Sequence, residues 1–296
     1  MGINGRLVRD GFMIMRRFGM RHALGRARDL LRVKREERRR TALYDRIRPE
    51  GTIEREILGS RMMLDMSDRG IHRDLFLDGI REPAATRHLM GVLTPGDVVL
   101  DIGANIGYYV LMEAARCRKV YAVEPVPRNV AVLTENVRLN GYDNVEIFSL
   151  AFGRAAGMER MYLSAKSNWH SFHPAPDTVG RIDIPVETVD AFLKGRECPT
   201  LVRMDVEGYE INIIDGMAET LPRIGRMFIE LHADIMSLDE TRRLLDTVRG
   251  AGFAPELIVK YDRPGLSRVL PDDYVDTIYE GDKGSYEIFF RKRPSP

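Results

Sequence analysis

The feature that most constrains this chain is the decapeptide Val98-Val99-Leu100-Asp101-Ile102-Gly103-Ala104-Asn105-Ile106-Gly107. An apolar run ends in an acid, turns through glycine and enters a helical pattern, which predicts a strand over 98–101 and a helix over 105–116. Strands and helices alternate beyond it. A second strand is expected over 120–124, and a helix runs from Pro127 to Asn140, where Gly141 stops it. Strands over 144–150, 201–205 and 227–231 alternate with helices over 209–221 and 238–251. Two late strands are expected near 257–259 and 286–291. This is the rhythm of a parallel sheet built from βαβ units. Residues 151 to 190 interrupt it, with strands over 158–163 and 182–186 flanking the loop Ser167–Phe172. Upstream, residues 61–66 and 70–76 have the texture of a small hairpin, and a helix is expected over 82–93.

At 296 residues the chain suits one large α/β domain with an extension, and 44% hydrophobic residues suffice for a sizeable core. The expected division is a basic helical extension over 1–58 and a domain over 59–296, its cofactor-binding core at about 95–235. The net charge of +1 hides an asymmetry: residues 1–48 carry 15 Arg/Lys against five Asp/Glu, so the remainder is acidic. Leu7, Phe12, Ile14, Phe18, Leu24, Ala27 and Leu31 recur at helical steps among arginines. Such a segment could pack on the domain or on another subunit, or lie on an anionic membrane surface. No apolar run has the length of a membrane span, and the two cysteines carry no metal-ligand spacing, so the cytoplasm, or the inner face of its membrane, is the expected compartment. Neither the charge balance nor the motifs point to nucleic acid.

The glycine turn points to a nucleotide cofactor at the carboxyl ends of the strands, where strand order reverses. Glu124, one strand later and 17 residues past Gly107, stands where an acid accepts ribose hydroxyls. A dinucleotide loop would need Gly-x-Gly-x-x-Gly. Here the middle glycine is missing and Asp101 precedes the turn, repelling a pyrophosphate while attracting an ammonium. Helix-N-terminal amides would suit a carboxylate. A cofactor with an ammonium, a carboxylate and a ribose fits: S-adenosylmethionine.

The motifs Asp101-Ile-Gly-Ala-Asn-Ile-Gly107, Val123-Glu-Pro125, Asn136-x-x-x-Asn140, Ala151-x-Gly153 and Met204-Asp-Val-Glu-Gly-Tyr-Glu210 together resemble the FkbM family of class I methyltransferases over roughly residues 60–235. The resemblance implies a seven-stranded Rossmann-like sheet with a reversed C-terminal hairpin. It further implies S-adenosylmethionine as cofactor and methylation of a hydroxyl on a sugar, glycan or natural product. Asp101, Gly103, Asn105, Gly107 and Glu124 fall on its cofactor positions. The basic first 50 residues lie outside it.

Methyl transfer to oxygen needs an aligned acceptor and a group to take its proton. Asp205, Glu207 and Glu210 follow one strand, and Glu230 and His232 end the next. His232 is the preferred general base because imidazole titrates near neutrality; Asp205 is the alternative, or orients the hydroxyl, with Glu207 beside it. Asn168, Trp169, Ser171 and Glu210 are expected to contact the acceptor. No metal is assigned: these acids could hold a hard cation, but their spacing is not diagnostic. His170-x-x-His173 lacks further ligands and is set aside. An N-methyltransferase is disfavoured because the turn at Asp205 lacks the Asn/Asp-Pro-Pro-aromatic pattern found in such enzymes. A non-catalytic binding module of the same fold is the remaining alternative.

Overall fold

The computed structural model describes residues 35–176, 178–263 and 266–293. The chain divides into two compact units between Arg48 and Pro49. In the first, residues 35–47 are helical; the basic stretch expected to be amphipathic, residues 7–31, lies outside the described residues.

The second unit opens with a hairpin, β1 (Thr52–Ile57) on β2 (Ser60–Asp65). Leu58 (φ 53°) and Gly59 (φ 82°) form its two-residue loop, and two left-handed residues suit the strand twist. This corrects the expectation of a hairpin from 61–66 and 70–76. Residues Ile71–Asp78 are instead a helix burying Ile71 and Leu75, four apart. Leucine at the first loop position is an unusual turn residue, so the true partner strand left no signal.

Eight strands form the main sheet: β3 (Val98–Ile102), β4 (Lys119–Val123), β5 (Val145–Phe148), β9 (Leu201–Met204), β10 (Arg226–His232), β11 (Phe253–Arg263), β12 (Leu266–Leu270) and β13 (Ser285–Lys292). Their order is β12-β11-β13-β10-β9-β3-β4-β5. The five strands from β10 to β5 are parallel, and β13 runs antiparallel between β10 and β11. This is the Rossmann-like sheet with a reversed C-terminal strand pair, lengthened by one strand because β12 folds back on β11. Residues 151–187 supply a separate sheet of β6 (Ala151–Phe152), β7 (Gly157–Ser164) and β8 (Thr178–Glu187), in the order β6-β8-β7.

β3 is buried at all five residues, as a central parallel strand covered on both faces must be. The main core packs Leu100, Ile102, Val202, Met204, Ile229 and Ile288 of the sheet against Ile213, Leu244 and Val248 of the helices. The Asn136-x-x-x-Asn140 motif pins the helix Pro127–Leu139 to its surroundings. Asn136 accepts from Met63 N at 2.6 Å and donates to Ile106 O at 2.8 Å, and Asn140 exchanges two 2.8 Å bonds with the Arg61 backbone. Sequence order reverses between β3, flanked by β4, and β9 on its other side, so a crevice is expected where those two strands end.

Candidate active site

A cleft open to solvent lies at that point. Gly103, Ala104, Asn105, Glu124, Asn129, Ser167 and Asn168 line one part, and Arg203, Asp205, Glu207 and Tyr209 another. Phe152, Met161 and Phe172 give it apolar wall.

The two glycines of the turn serve packing. A Cβ on Gly103 (φ 85°) would stand 2.0 Å from the Asp205 carbonyl oxygen, and one on Gly107 (φ 93°) would stand 2.7 Å from Leu133. Gly103 thus lets the β3 turn touch the β9 turn, and Gly107 lets its helix pack on Pro127–Leu139. The turn amides are not an open anion cradle. Gly103 N and Ala104 N donate to Val123 O, Gly107 N to Ala104 O, Ile106 N to Asn105 Oδ1, and Asn105 N to Glu124 Oε2 at 2.9 Å.

Glu124 ends β4 with its carboxylate facing the cleft. Oε1 accepts from Val126 N (3.0 Å) and Asn129 Nδ2 (3.2 Å), so three donors fix both oxygens. A carboxylate has about four lone-pair sites, so one, on Oε2, remains for a ligand hydroxyl. Burial pushes this carboxyl up to about 7, outweighing the donors that favour its charge. Ser167, whose carbonyl accepts from Asn105 and Asn129, has a buried Oγ without a partner beside the same wall. An orphaned hydroxyl next to an under-used carboxylate fits a polyhydroxylated group such as a ribose.

Asp101 departs from expectation. It is 0% exposed, absent from the cleft lining, and paired with Arg203 through Nη1 at 2.8 Å. Parallel register places the two side by side on β3 and β9. Arg203 also reaches Asp205 Oδ2 at 3.3 Å and lies 3.9 Å over the Tyr109 ring. Burial raises the Asp101 carboxyl, with Arg203 opposing. The acid before the turn is therefore paired internally with a guanidinium instead of facing the cleft. Arg203 was missed by sequence reasoning, although an arginine inside Leu-Val-Arg-Met was itself a signal of a paired buried charge.

At the β9 and β10 ends the structure brings together Asp205, Glu207, Glu210, Glu230 and His232. His232 Nδ1 lies 2.7 Å from Glu210 Oε1, and Nε2 lies 3.4 Å from Glu207 Oε2 and 3.6 Å from Glu230 Oε1. Burial alone would lower the imidazole pKa, but Glu210, Glu207 and Glu230 together raise it well above its usual value. With no ion bound, these carboxylates favour the protonated ring, which works against the general-base role expected of it. Burial pushes Glu207 up to about 7, with Asp205 and Glu210 adding to it against His232. Asp205 is held below the usual carboxylate range: burial would raise it, but Arg203, His232 and Arg81 prevail. Both acids line the cleft; His232 and Glu210 do not.

Of the residues expected to meet the acceptor, Asn168 lines the cleft, its Oδ1 accepting from Ile71 N. Ser171 instead donates to the Glu207 carbonyl at 2.8 Å, and Glu210, 0% exposed, accepts from Gly208 N and faces His232. Trp169 is half-exposed with Lys166 Nζ 3.2 Å from its ring centroid, outside the cleft. Its neighbour Phe172 takes the wall position, tilted 4.4 Å from Tyr209. Sequence reasoning also passed over Asn129, Arg81 and Tyr209, which line the cleft.

Residues 101–255 match the profile of the methyltransferase FkbM domain. The chain is 30% identical over 220 residues to the 31-O-demethyl-FK506 methyltransferase FkbM of Streptomyces tacrolimicus, covering 62% of this chain and 80% of that protein. It is 29% identical over 175 residues to the hexuronic acid methyltransferase AglP of Haloferax volcanii, covering 55% and 67%. A solved structure named methyltransferase FkbM, from Methylobacillus flagellatus, aligns over 68% of this chain and 45% of that one, at 17% identity and a TM-score of 0.43.

Proposed function

Because this chain belongs to the FkbM family of methyltransferases, we propose that it uses S-adenosylmethionine to methylate a hydroxyl of a sugar, glycan or natural-product acceptor. The observation that carries this reading is one cleft flanked by Glu124 at one strand end and by Asp205 and Glu207 at another. When bound, the cofactor supplies an electrophilic methyl group on a sulfonium. Glu124, fixed by Asn105, Val126 and Asn129, accepts a ribose hydroxyl, and Ser167 Oγ adds a further polar contact. Phe152, Met161 and Phe172 exclude water from the apolar part of the ligand.

Asp205 and Glu207 serve the acceptor. Their carboxylates accept the hydroxyl hydrogen, orient the oxygen and take up the proton that leaves as the new O–C bond forms. Arg203 and His232 act through them, Arg203 on Asp205 and His232 on Glu207, and are positioning residues. Asn168, also in the cleft lining, contacts the acceptor in this reading. The names of the two relatives, one acting on a hexuronic acid and one on a demethylated natural product, support a hydroxylated small molecule or glycan as partner.

Isothermal titration with S-adenosylmethionine and with its demethylated product tests the cofactor half: absence of binding to both refutes it. Methyl transfer from labelled cofactor to hexuronic acids and hydroxylated macrolides tests the acceptor half. Asp205→Ala is expected to keep cofactor binding and lose transfer. Undiminished turnover in that variant would remove Asp205 from the chemistry. A chain that binds the cofactor and methylates no hydroxylated acceptor would act as a binding module.

A further inference from the structure

We propose that Asp205, Glu207 and Nε2 of His232 form a binding site for one divalent first-row metal ion, of the manganese kind, in the wall of the cleft. The three residues offer one donor atom each, all within 4.8 Å of one another.

The separation of His232 Nε2 from Glu207 Oε2 is the first argument. At 3.4 Å it is too long for a charge-assisted hydrogen bond, which would close to about 2.7–2.9 Å. Two donors each about 2.1 Å from a shared ion stand roughly 3.0 to 3.4 Å apart, depending on the coordination angle. The pair is spaced for an ion between them.

Glu210 is the second, independent argument. This carboxylate is 0% exposed, yet it is held by Gly208 N and set 2.7 Å from His232 Nδ1. A metal-bound imidazole characteristically donates its other N–H to a buried carboxylate, which fixes the ring and aims the free nitrogen at the ion. Here Nδ1–H donates to Glu210, and Nε2, whose proton the ion displaces on binding, turns toward Glu207 and Glu230. The second oxygen of Glu210 is buried without a hydrogen-bond partner, while Glu230 shares a hydrogen bond with Asp205.

The donor set names the class of ion. Carboxylates favour Mg²⁺ and Mn²⁺, imidazole favours the later first-row metals, and no thiolate is present. Mn²⁺ and its neighbours accept both kinds. A neighbouring trio, Glu82, Glu230 and Glu287, is also close enough to hold an ion. Its donors are partly spent: Tyr109 and Arg81 bind Glu82, and Ser285 binds Glu230. Asp205 and Glu207 face the cleft, so the remaining coordination positions of the ion open toward the acceptor. Glu207 can give one oxygen to the ion and keep the other for the acceptor hydroxyl. An acceptor with two adjacent oxygens, a vicinal diol or a hydroxy acid, would complete the shell; this last step rests on the proposed function.

The test is titration of Mn²⁺ into the chelator-treated, tag-free full chain, following loss of the free-ion electron paramagnetic resonance signal. One equivalent is expected to bind. His232→Ala and Glu207→Gln should each abolish binding, and Glu210→Gln should weaken it about 10- to 100-fold. Near-UV circular dichroism and S-adenosylmethionine titration on the same samples report whether each variant is folded, and Glu207→Gln decides if His232→Ala is not. An unchanged Mn²⁺ signal with the wild-type chain overturns the proposal, as does wild-type affinity in both His232→Ala and Glu207→Gln. Loss in Glu287→Gln with retention in His232→Ala moves the ion to the neighbouring trio and also overturns it. Cofactor binding without Mn²⁺ binding would leave the methyltransferase reading standing while removing the metal.

Discussion

Replacing Arg203 by methionine should destabilise the fold in a way that depends on pH. Arg203 is 4% exposed and is the hydrogen-bond donor to Asp101, which has no exposed surface and whose second oxygen has no partner. Removing one member of a buried ion pair costs about 3–5 kcal/mol because the other charge is left unsolvated. Asp101 can escape that cost by taking up a proton. Its carboxyl is already raised by burial, and without the guanidinium it rises further. An acid whose folded pKa is raised loses stability as pH climbs from the unfolded value through the folded one. The penalty of Arg203→Met should therefore be small near pH 5 and grow by at most about 1.4 kcal/mol per pH unit. By pH 8 it should reach about 3–5 kcal/mol, a fall of roughly 6–20 °C in Tm for a unit of this size. Urea unfolding at pH 5, 6.5 and 8 measures it, and Asp101→Asn in the same background should recover most of the loss at pH 8. A penalty below about 1 kcal/mol, or one equal at all three pH values, would refute the pairing as the source of stability.

Glu124→Gln replaces an acceptor oxygen with a donor facing backbone N–H groups. It should weaken S-adenosylmethionine binding at least about tenfold, as each bond to a charged acceptor contributes about 1.5–3 kcal/mol. In the wild type, burial pushes Glu124 up to about 7 and its charged form is the stronger acceptor for a ribose hydroxyl, so cofactor affinity by calorimetry should fall as pH drops below 7 and level off above it. Gly103→Ala should cost upwards of about 2 kcal/mol in urea unfolding, because the Cβ meets the Asp205 carbonyl and φ is positive. Gly91→Ala, in the helix Pro83–Val92 with open space around it, should be neutral or stabilise by up to about 1 kcal/mol. Ser237→Ala breaks the capping box that Ser237 and Glu240 form at the helix Leu238–Gly250; it should lower Tm by about 2–4 °C with turnover unchanged.

The sequence by itself determined what depends on near neighbours. Hydrophobic runs bounded by glycine and proline gave the alternation from Val98 to Gly250, and that alternation compels a parallel sheet with its ligands at the strand ends. That Glu124, Asp205 and Glu207 stand at strand ends in the cleft lining was legible because an acid at the end of an apolar strand is costly unless it is used or paired. The β1 hairpin was not, since Leu58 disguises its turn, and neither was β12, which owes its place to pairing with β11.

Charge and direction were left to the tertiary structure. Asp101 meets Arg203, 102 positions away, only through the register of β3 and β9, and that contact turns an expected ligand group into a buried pair. His232 looks like a free base until folding surrounds it with Glu207, Glu210 and Glu230, which raise its pKa and set its Nδ1 against Glu210. Trp169 and Phe172 are three residues apart in one loop, yet only Phe172 lines the cleft. In each case the decisive quantity is an energy of desolvation or a direction in space. Both are set by residues that the chain brings near only when it folds.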